Sequence, residues 1–185
     1  MNEAELRQHF QPHMARLPLD EAGHRPAAVL VALEPERGVW LTRRSADLHN
    51  HAGQVALPGG QIEASDTGVE AAALREAAEE IGLDGAGVEI IGRLDDFIVG
   101  TGFHISPVVA LVPKNVALRP NPDEVQAIFC LPFATLLDPA QPARRHAYWR
   151  GHHSEFWVWP HEQHIIWGAT ASILYMLAQR LRKSP

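Results

Sequence analysis

Cysteine is nearly absent: Cys130 is the only one in 185 residues, so no intramolecular disulfide can form. It follows Ile128-Phe129 and is expected as a small buried core residue. Positive charge is in short supply too. Sixteen Lys and Arg against 22 Asp and Glu leave a net charge of −6, which gives no electrostatic footprint for nucleic acid or an anionic membrane. No apolar run approaches the ~20 residues that span a bilayer. The start, Met1-Asn2-Glu3-Ala4-Glu5, is acidic and lacks the apolar segment of a secretory signal. Internal repeats and low-complexity linkers are missing. These absences predict a cytoplasmic protein with no nucleic-acid or membrane partner. What is present is globular in composition, 46% hydrophobic and 21% charged, and long enough for one domain with a sizeable core.

Residues 3–17 place Leu6, Phe10, Met14 and Leu17 at helical spacing around Pro12, predicting a short N-terminal helix. Apolar or β-branched runs at 27–33 and 39–42, joined by Glu34-Pro35-Glu36-Arg37-Gly38, predict a hairpin. A short strand at 55–57 is stopped by Pro58-Gly59-Gly60, and further strands are expected at 88–98, 104–112, 125–131 and 156–159. Pro132 is expected to begin a helical turn toward Leu137. Residues 165–181 read as a helix with Ile166, Thr170, Ile173, Leu174, Leu177 and Leu181 on one buried stripe. Strands and helices mix without βαβ alternation, which predicts α+β with a mixed sheet rather than a doubly wound fold.

The most informative stretch is Arg75-Glu76-Ala77-Ala78-Glu79-Glu80-Ile81-Gly82-Leu83. A helix is expected over 68–81. Thr67 followed by Glu70 fits a capping box, Ala71-Ala72-Ala73-Leu74 has high helix propensity, and Gly82 supplies a left-handed stop with Leu83 beyond it. Leu74, Ala77, Ala78 and Ile81 mark the expected buried face. Three glutamates near the C-terminal end oppose the helix dipole by about 0.3–1 kcal/mol each. Glu76 and Glu80, at i and i+4, also repel; Arg75, four residues before Glu79, offsets part of this. The bland alternative is a solvated acidic face. A helix gains nothing from such a cluster, whereas a hard divalent cation takes one or two carboxylates plus waters and substrate phosphates.

Gly60 through Leu83 resembles the Nudix box, G-x5-E-x7-R-E-U-x-E-E-x-G-U, where U is a bulky aliphatic residue. Arg75, Glu76, Glu79, Glu80, Gly82 and Leu83 match its second half, with Ala77 at the first aliphatic position. In the first half Asp66 replaces Glu, and one extra residue precedes Arg75. Leu41-Thr42-Arg43-Arg44-Ser45 and Gly53-Gln54-Val55-Ala56-Leu57-Pro58-Gly59-Gly60 resemble the upstream signature of the coenzyme A pyrophosphatase branch, L-L-T-x-R-S then G-x-V-x-F-P-G-G. Leu57 replaces Phe, and His49 stands where an Arg is usual. Pro107-Val108-Val109, Asn121-Pro122-Asp123-Glu124-Val125 and Ile166-Trp167-Gly168-Ala169-Thr170-Ala171 also look like this branch. The resemblance runs from about 27 to 174 within a single domain, 1–185, flanked by terminal helices.

The resemblance implies a Nudix-type α/β/α sandwich and hydrolysis of a diphosphate linkage with Mg2+ or Mn2+. Carried over, Glu76 and Glu80 are the principal metal ligands, Glu79 is a ligand or the water-activating base, and the Gly60 carbonyl completes the site. A coenzyme A substrate would yield 4′-phosphopantetheine and adenosine 3′,5′-bisphosphate. ADP-ribose, NADH or another nucleoside diphosphate derivative is the nearest alternative; an isomerase or a non-catalytic ligand-binding module is a different class. Glu124, in a loop, is a second base candidate. Arg43 and Arg44 end a strand, whose alternation turns one of them to the cleft and a substrate phosphate. His49 and His51 lie beside the signature and are expected to line the substrate cleft. The histidine pairs 49/51, 152/153 and 161/164 have no cysteine partner and no H-E-x-x-H pattern, so zinc is not expected. Trp149, Trp157, Trp159 and Trp167 are assigned to core and interface packing. A homodimer is expected on general grounds.

Overall fold

The computed structural model describes residues 1–10, 23–100, 102–149 and 152–183. Helix α1 is Glu3–Phe10; the expected continuation through Met14 and Leu17 lies outside the described residues. The hairpin is β1, Arg25–Glu34, and β2, Gly38–Arg44. It is followed by β3 (Val55–Ala56), β4 (Gly59–Gln61) and α2 (Val69–Ile81). Then come β5 (Glu89–Arg93), β6 (Phe97–Val99), β7 (Phe103–Leu111), β8 (Val125–Pro132) and α3 (Phe133–Leu136). A ribbon, β9 (Ala143–Trp149) and β10 (His152–Val158), precedes α4 (Gly168–Arg182). No helix among the described residues is long and apolar enough to cross a membrane.

The main sheet runs β3-β2-β1-β7-β5, with β8 on β2, β4 on β1 and β6 on β7. Strands β1 and β7 are parallel and the other pairs antiparallel, so the sheet is mixed. Alternate residues of β1 serve two cores. Ala28, Leu30 and Ala32 pack with Val69, Ala72, Ala73, Ala77 and Ile81 of α2. Val31 and Leu33 belong to the cluster holding Leu6 and Phe10 of α1 and Ile173, Leu174 and Leu177 of α4. Helices thus cover both sheet faces, the sandwich that period-two burial requires. One edge of β1 changes partner along its length. It pairs with β2 at Leu33 and Glu34, and with β4 at Ala27, Ala28 and Val29. The gap between β2 and β4 is where the site forms.

Several expectations need correction. Gly59–Gln61 is a strand, not merely a stop, because the Leu30 N–H donates to Pro58 O at 2.8 Å and draws the segment onto β1. No capping box forms: Gly68 is the N-cap, without a side-chain cap. The preceding loop is tied instead by Asp66, which accepts from the Glu63 N–H and from Arg75. Gly82 does end α2 left-handed (φ 61°), donating to Ala78 O, with Leu83 donating to Ala77 O. Leu74 is half-buried and Ala78 exposed, so the buried stripe lies toward Val69, Ala72 and Ala73.

The single strand expected over 88–98 is two strands. Asp96 turns inward to Arg93 (3.0 Å) and His104 (2.9 Å), bending the chain between them. Strand β9 is not expected from the sequence because its residues 144–148 are exposed and mostly polar or charged, without an apolar alternation. Helix α4 starts at Gly168, three residues later than expected. Ile166 is buried beside Trp159 through a bridge, and the Trp159 indole donates to Ala171 O at 3.0 Å. Cys130 is half-buried rather than buried, and desolvation pushes its thiol up to about 11.

Candidate functional site

The site is built where α2 passes the Gly59-Gly60 corner. Gly59 donates its N–H to Glu80 Oε2 at 3.1 Å, and Arg44 Nη1 donates to Glu80 Oε1 at 3.3 Å. The Glu80 side chain is only 3% exposed. Glu76 lies one turn earlier against Gly60: a Cβ on that glycine would sit 2.5 Å from Glu76 Oε1. The loop carrying Glu124 is stitched to the end of the same helix. Asn121 N–H donates to Glu80 O and Arg119 N–H to Ile81 O, each at 2.9 Å, while Ser45 N–H donates to Glu124 O at 2.8 Å.

Arg75 organises the other side. Its guanidinium holds Asp66 at 3.0 and 3.1 Å, Glu76 at 3.0 Å, Glu79 at 3.1 Å and the Gln61 carbonyl at 3.0 Å. The Arg75–Glu79 pair appears at the expected spacing. Asp66 and Gln61 are positioning groups that sequence reasoning did not identify as such. The available signal was Asp66 itself, a carboxylate left near the start of a helix that also carries an arginine.

Burial pushes the Glu80 carboxyl up to about 7, reinforced by Glu76 and Glu124 and opposed by the Gly59 N–H and Arg44. Glu76 is raised as well, by burial first, with Arg75 opposing and Glu79 and Glu124 adding repulsion. Glu76, Glu80 and Glu124 therefore form a mutually repelling set in a partly dehydrated corner, the electrostatic situation a cation relieves. Among the described residues no three His, Cys, Asp or Glu side chains are gathered so that they could hold a metal ion by themselves. The oxygen-only donor set fits a hard cation that takes one or two carboxylates and fills its remaining positions with water and substrate oxygens.

The other expected residues are spread out. Glu79 is 54% exposed and turned to Arg75. Of the two arginines, Arg44 faces the glutamates. Arg43 takes the opposite sheet face, toward Gly53 and His164, as strand alternation requires. His49 is exposed in the β2–β3 connection; His51, left-handed at φ 57°, meets Gln54 Oε1 at 2.9 Å. His161 and His164 stack at 4.9 Å and 15°, a parallel arrangement that does not aim two ring nitrogens at one ion. Trp157 and Trp159 pack as expected, but Trp167 is 44% exposed.

The two glycines separate stability from function. Gly59→Ala would drive its Cβ into the Ala28 carbonyl and Val29 backbone, and is expected to cost about 1–3 kcal/mol in denaturant unfolding. Gly60→Ala meets only the flexible end of Glu76, so the fold should survive. The displaced carboxylate is expected to lower turnover by about 10²-fold.

The NUDIX domain family matches residues 23–150. An uncharacterized Nudix hydrolase from Shigella flexneri, NudL, is 40% identical over 178 residues, covering 95% of this chain and 91% of that protein. NudL from Escherichia coli O6:H1 is 39% identical over the same length, covering 95% and 93%. Among solved structures, the MutT protein of Methanosarcina mazei shares the fold at a TM-score of 0.50 and 19% identity, over 64% of this chain and 83% of that one. Sequence relatives, fold and the Arg75–Glu80 helix agree, and the chain belongs to the Nudix family of hydrolases.

Proposed function

We propose that this chain hydrolyses the diphosphate linkage of coenzyme A or its derivatives with Mg2+ or Mn2+, giving 4′-phosphopantetheine and adenosine 3′,5′-bisphosphate. The observation that carries the reading is the buried Glu80 bonded to the Gly59 N–H, with half-buried Glu76 against Gly60 and the charge of Glu124 acting on both. Glu76 and Glu80 would hold the cation, with the Gly60 carbonyl and Glu79 completing its surroundings. A cation held by these residues would supply charge neutralisation at the diphosphate oxygens and a lowered pKa for an attacking water.

Glu124 is favoured as the group that takes the water's proton. Its charge is felt by both Glu76 and Glu80, whereas Glu79 is tied to Arg75. Such a base contributes typically ~10²–10⁴-fold. Arg44, already beside Glu80, is the better placed of the two arginines to meet a substrate phosphate. Support for coenzyme A comes from the upstream signature, which forms β2, β3 and β4 around this corner. His49 and His51, on the connection between β2 and β3, are proposed to line the same substrate cleft.

The test is a panel of coenzyme A, ADP-ribose, NADH and diadenosine polyphosphates with Mg2+ or Mn2+, products identified by mass spectrometry. Coenzyme A is expected to be cleaved fastest. Equal rates on all would remove the coenzyme A assignment, and no cleavage of any would remove the enzymatic reading.

A further inference from the structure

Arg43 and Arg44 are consecutive, yet among the described residues only Arg44 has a carboxylate partner. The Arg43 guanidinium makes no hydrogen bond or ion pair with any described residue. It is half-buried and lies against Gly53, where an added Cβ would stand 4.0 Å from Nη2. Strand pairing puts an aromatic ring beside it. Arg43 stands opposite Ala127 and Leu41 opposite Phe129, so Arg43 and Phe129 are diagonal neighbours on one sheet face. Such neighbours are about 7–8 Å apart, within reach of long side chains.

Two imidazoles complete the cluster. His161 and His164, from the segment between β10 and α4, each pack on the Phe129 ring at 4.5 Å and stack on one another at 4.9 Å. The Gln163 N–H donates to His161 Nδ1 at 3.2 Å, so neutral His161 carries its proton on Nε2 and keeps that donor free. Neither imidazole has a carboxylate partner among the described residues. Burial holds His164 below its ordinary value of 6.5, and the charges of His161 and Arg43 add to the effect. On a chain of net charge −6, a guanidinium and two imidazoles thus crowd one half-buried spot. Groups that disfavour one another's positive charge are relieved by an anion. A planar carboxylate is satisfied by the guanidinium fork alone. The parallel rings cannot converge on one cation, but their edges can meet separate oxygens of a larger tetrahedral anion.

We propose that Arg43, His161 and His164 bind a phosphate group, free or as a phosphomonoester, in a site separate from the glutamates. Arg43 supplies the bidentate fork. The His161 Nε2–H and one His164 N–H supply the remaining donors, and Phe129 holds both rings in place. The site lies on the opposite face of β2 from Glu80, so it needs no metal and does not depend on the proposed hydrolysis. The phosphate has two sources, solution or a monoester group carried by the substrate, as in the 3′-phosphate of coenzyme A.

The experiment titrates isotopically labelled protein with inorganic phosphate at constant ionic strength, with chelator present so that no cation at the glutamates captures the anion. It follows the ring signals of His161 and His164, identified by their loss in His161→Gln and His164→Gln. Both should shift saturably, and the titration midpoint of His164 should rise, because a bound anion favours the imidazolium. Arg43→Gln should weaken phosphate binding at least about tenfold. Arg43→Lys, which keeps the charge without the fork, should weaken it less. No saturable shift in wild type overturns the inference whatever the variants do, and so does equal binding by Arg43→Gln. Coenzyme A and its 3′-dephospho form distinguish the source. For a phosphate carried by the substrate, Arg43→Gln lowers the ratio of their kcat/KM values about tenfold; for one taken from solution the ratio holds while inorganic phosphate still binds. Failure to cleave either compound defeats the proposed function and leaves this site standing.

Discussion

Glu80→Gln is expected to lower turnover on a diphosphate substrate by at least the ~10²–10⁴-fold associated with one positioned acid–base group, without loss of fold. The amide oxygen can still accept from the Gly59 N–H, so the corner keeps its shape. What disappears is a negative charge that burial and two neighbouring glutamates already oppose. In metal-free buffer at pH 8 the variant should melt at or above the wild-type temperature, the pattern of a site whose charge is kept for function at the expense of stability. Glu79→Gln, which alters an exposed side chain at the edge of the cation's surroundings that is already tied to Arg75, should cost less. A Glu80→Gln protein with near wild-type turnover would sink the assignment. A strongly lowered melting temperature would instead mean that Glu80 is structural.

The second large effect couples pH, metal and stability. The native Glu80 carboxyl titrates near 7, against an ordinary value of 4.5. Between those values the unfolded chain has released the proton and the native chain still holds it, so the unfolded state binds fewer protons and stability falls as pH rises. The full difference, reached above pH 7, corresponds to about 3 kcal/mol, and each kcal/mol moves the melting temperature by about 2–4 °C in a chain of this size. Metal-free protein should therefore melt several degrees lower at pH 8 than at pH 5.5, and Mg2+ or Mn2+ should restore the loss at pH 8.

Other groups act with the opposite sign. Asp66, held low by Arg75, loses its contribution only in more acidic solution. His164, held low by burial with help from His161 and Arg43, destabilises the fold in acid, and that penalty is relieved as pH rises toward its ordinary value of 6.5. The difference between wild type and Glu80→Gln isolates the Glu80 part. Thermal melts with and without chelator at both pH values decide it. Identical pH dependence in the two proteins, with no metal effect in wild type, would falsify the charge-strain account.

Much of the site was legible along the chain because its parts are local. Glu76, Glu79 and Glu80 share one helix, Gly82 ends that helix through its own backbone preference, and Arg75 meets Glu79 one turn away. The failures are equally physical. The capping box was a correct local pattern overruled by Asp66, whose tie to Arg75 spans nine residues. Strand β4 depends on β1 for its hydrogen bonds, and the bend at 94–96 on the contact between Asp96 and His104 of β7.

By itself, the sequence determined the chemistry: an oxygen-donor cluster on a rigid helix beside a glycine corner, in an α+β chain of Nudix type. Tertiary structure decided which groups share that corner. Arg44 rather than Arg43 faces Glu80 because successive strand residues face opposite sides of the sheet, and the gap between β2 and β4 selects one side. Glu124 joins because Asn121 is bonded to the end of α2, forty-one positions away in sequence. The cluster of Arg43, His161 and His164 around Phe129 is assembled from β2, β8 and the segment between β10 and α4. Local patterns carry residue identity and spacing; burial, and the repulsion that drives Glu80 toward neutrality, arise only once distant segments exclude water from the same few ångströms.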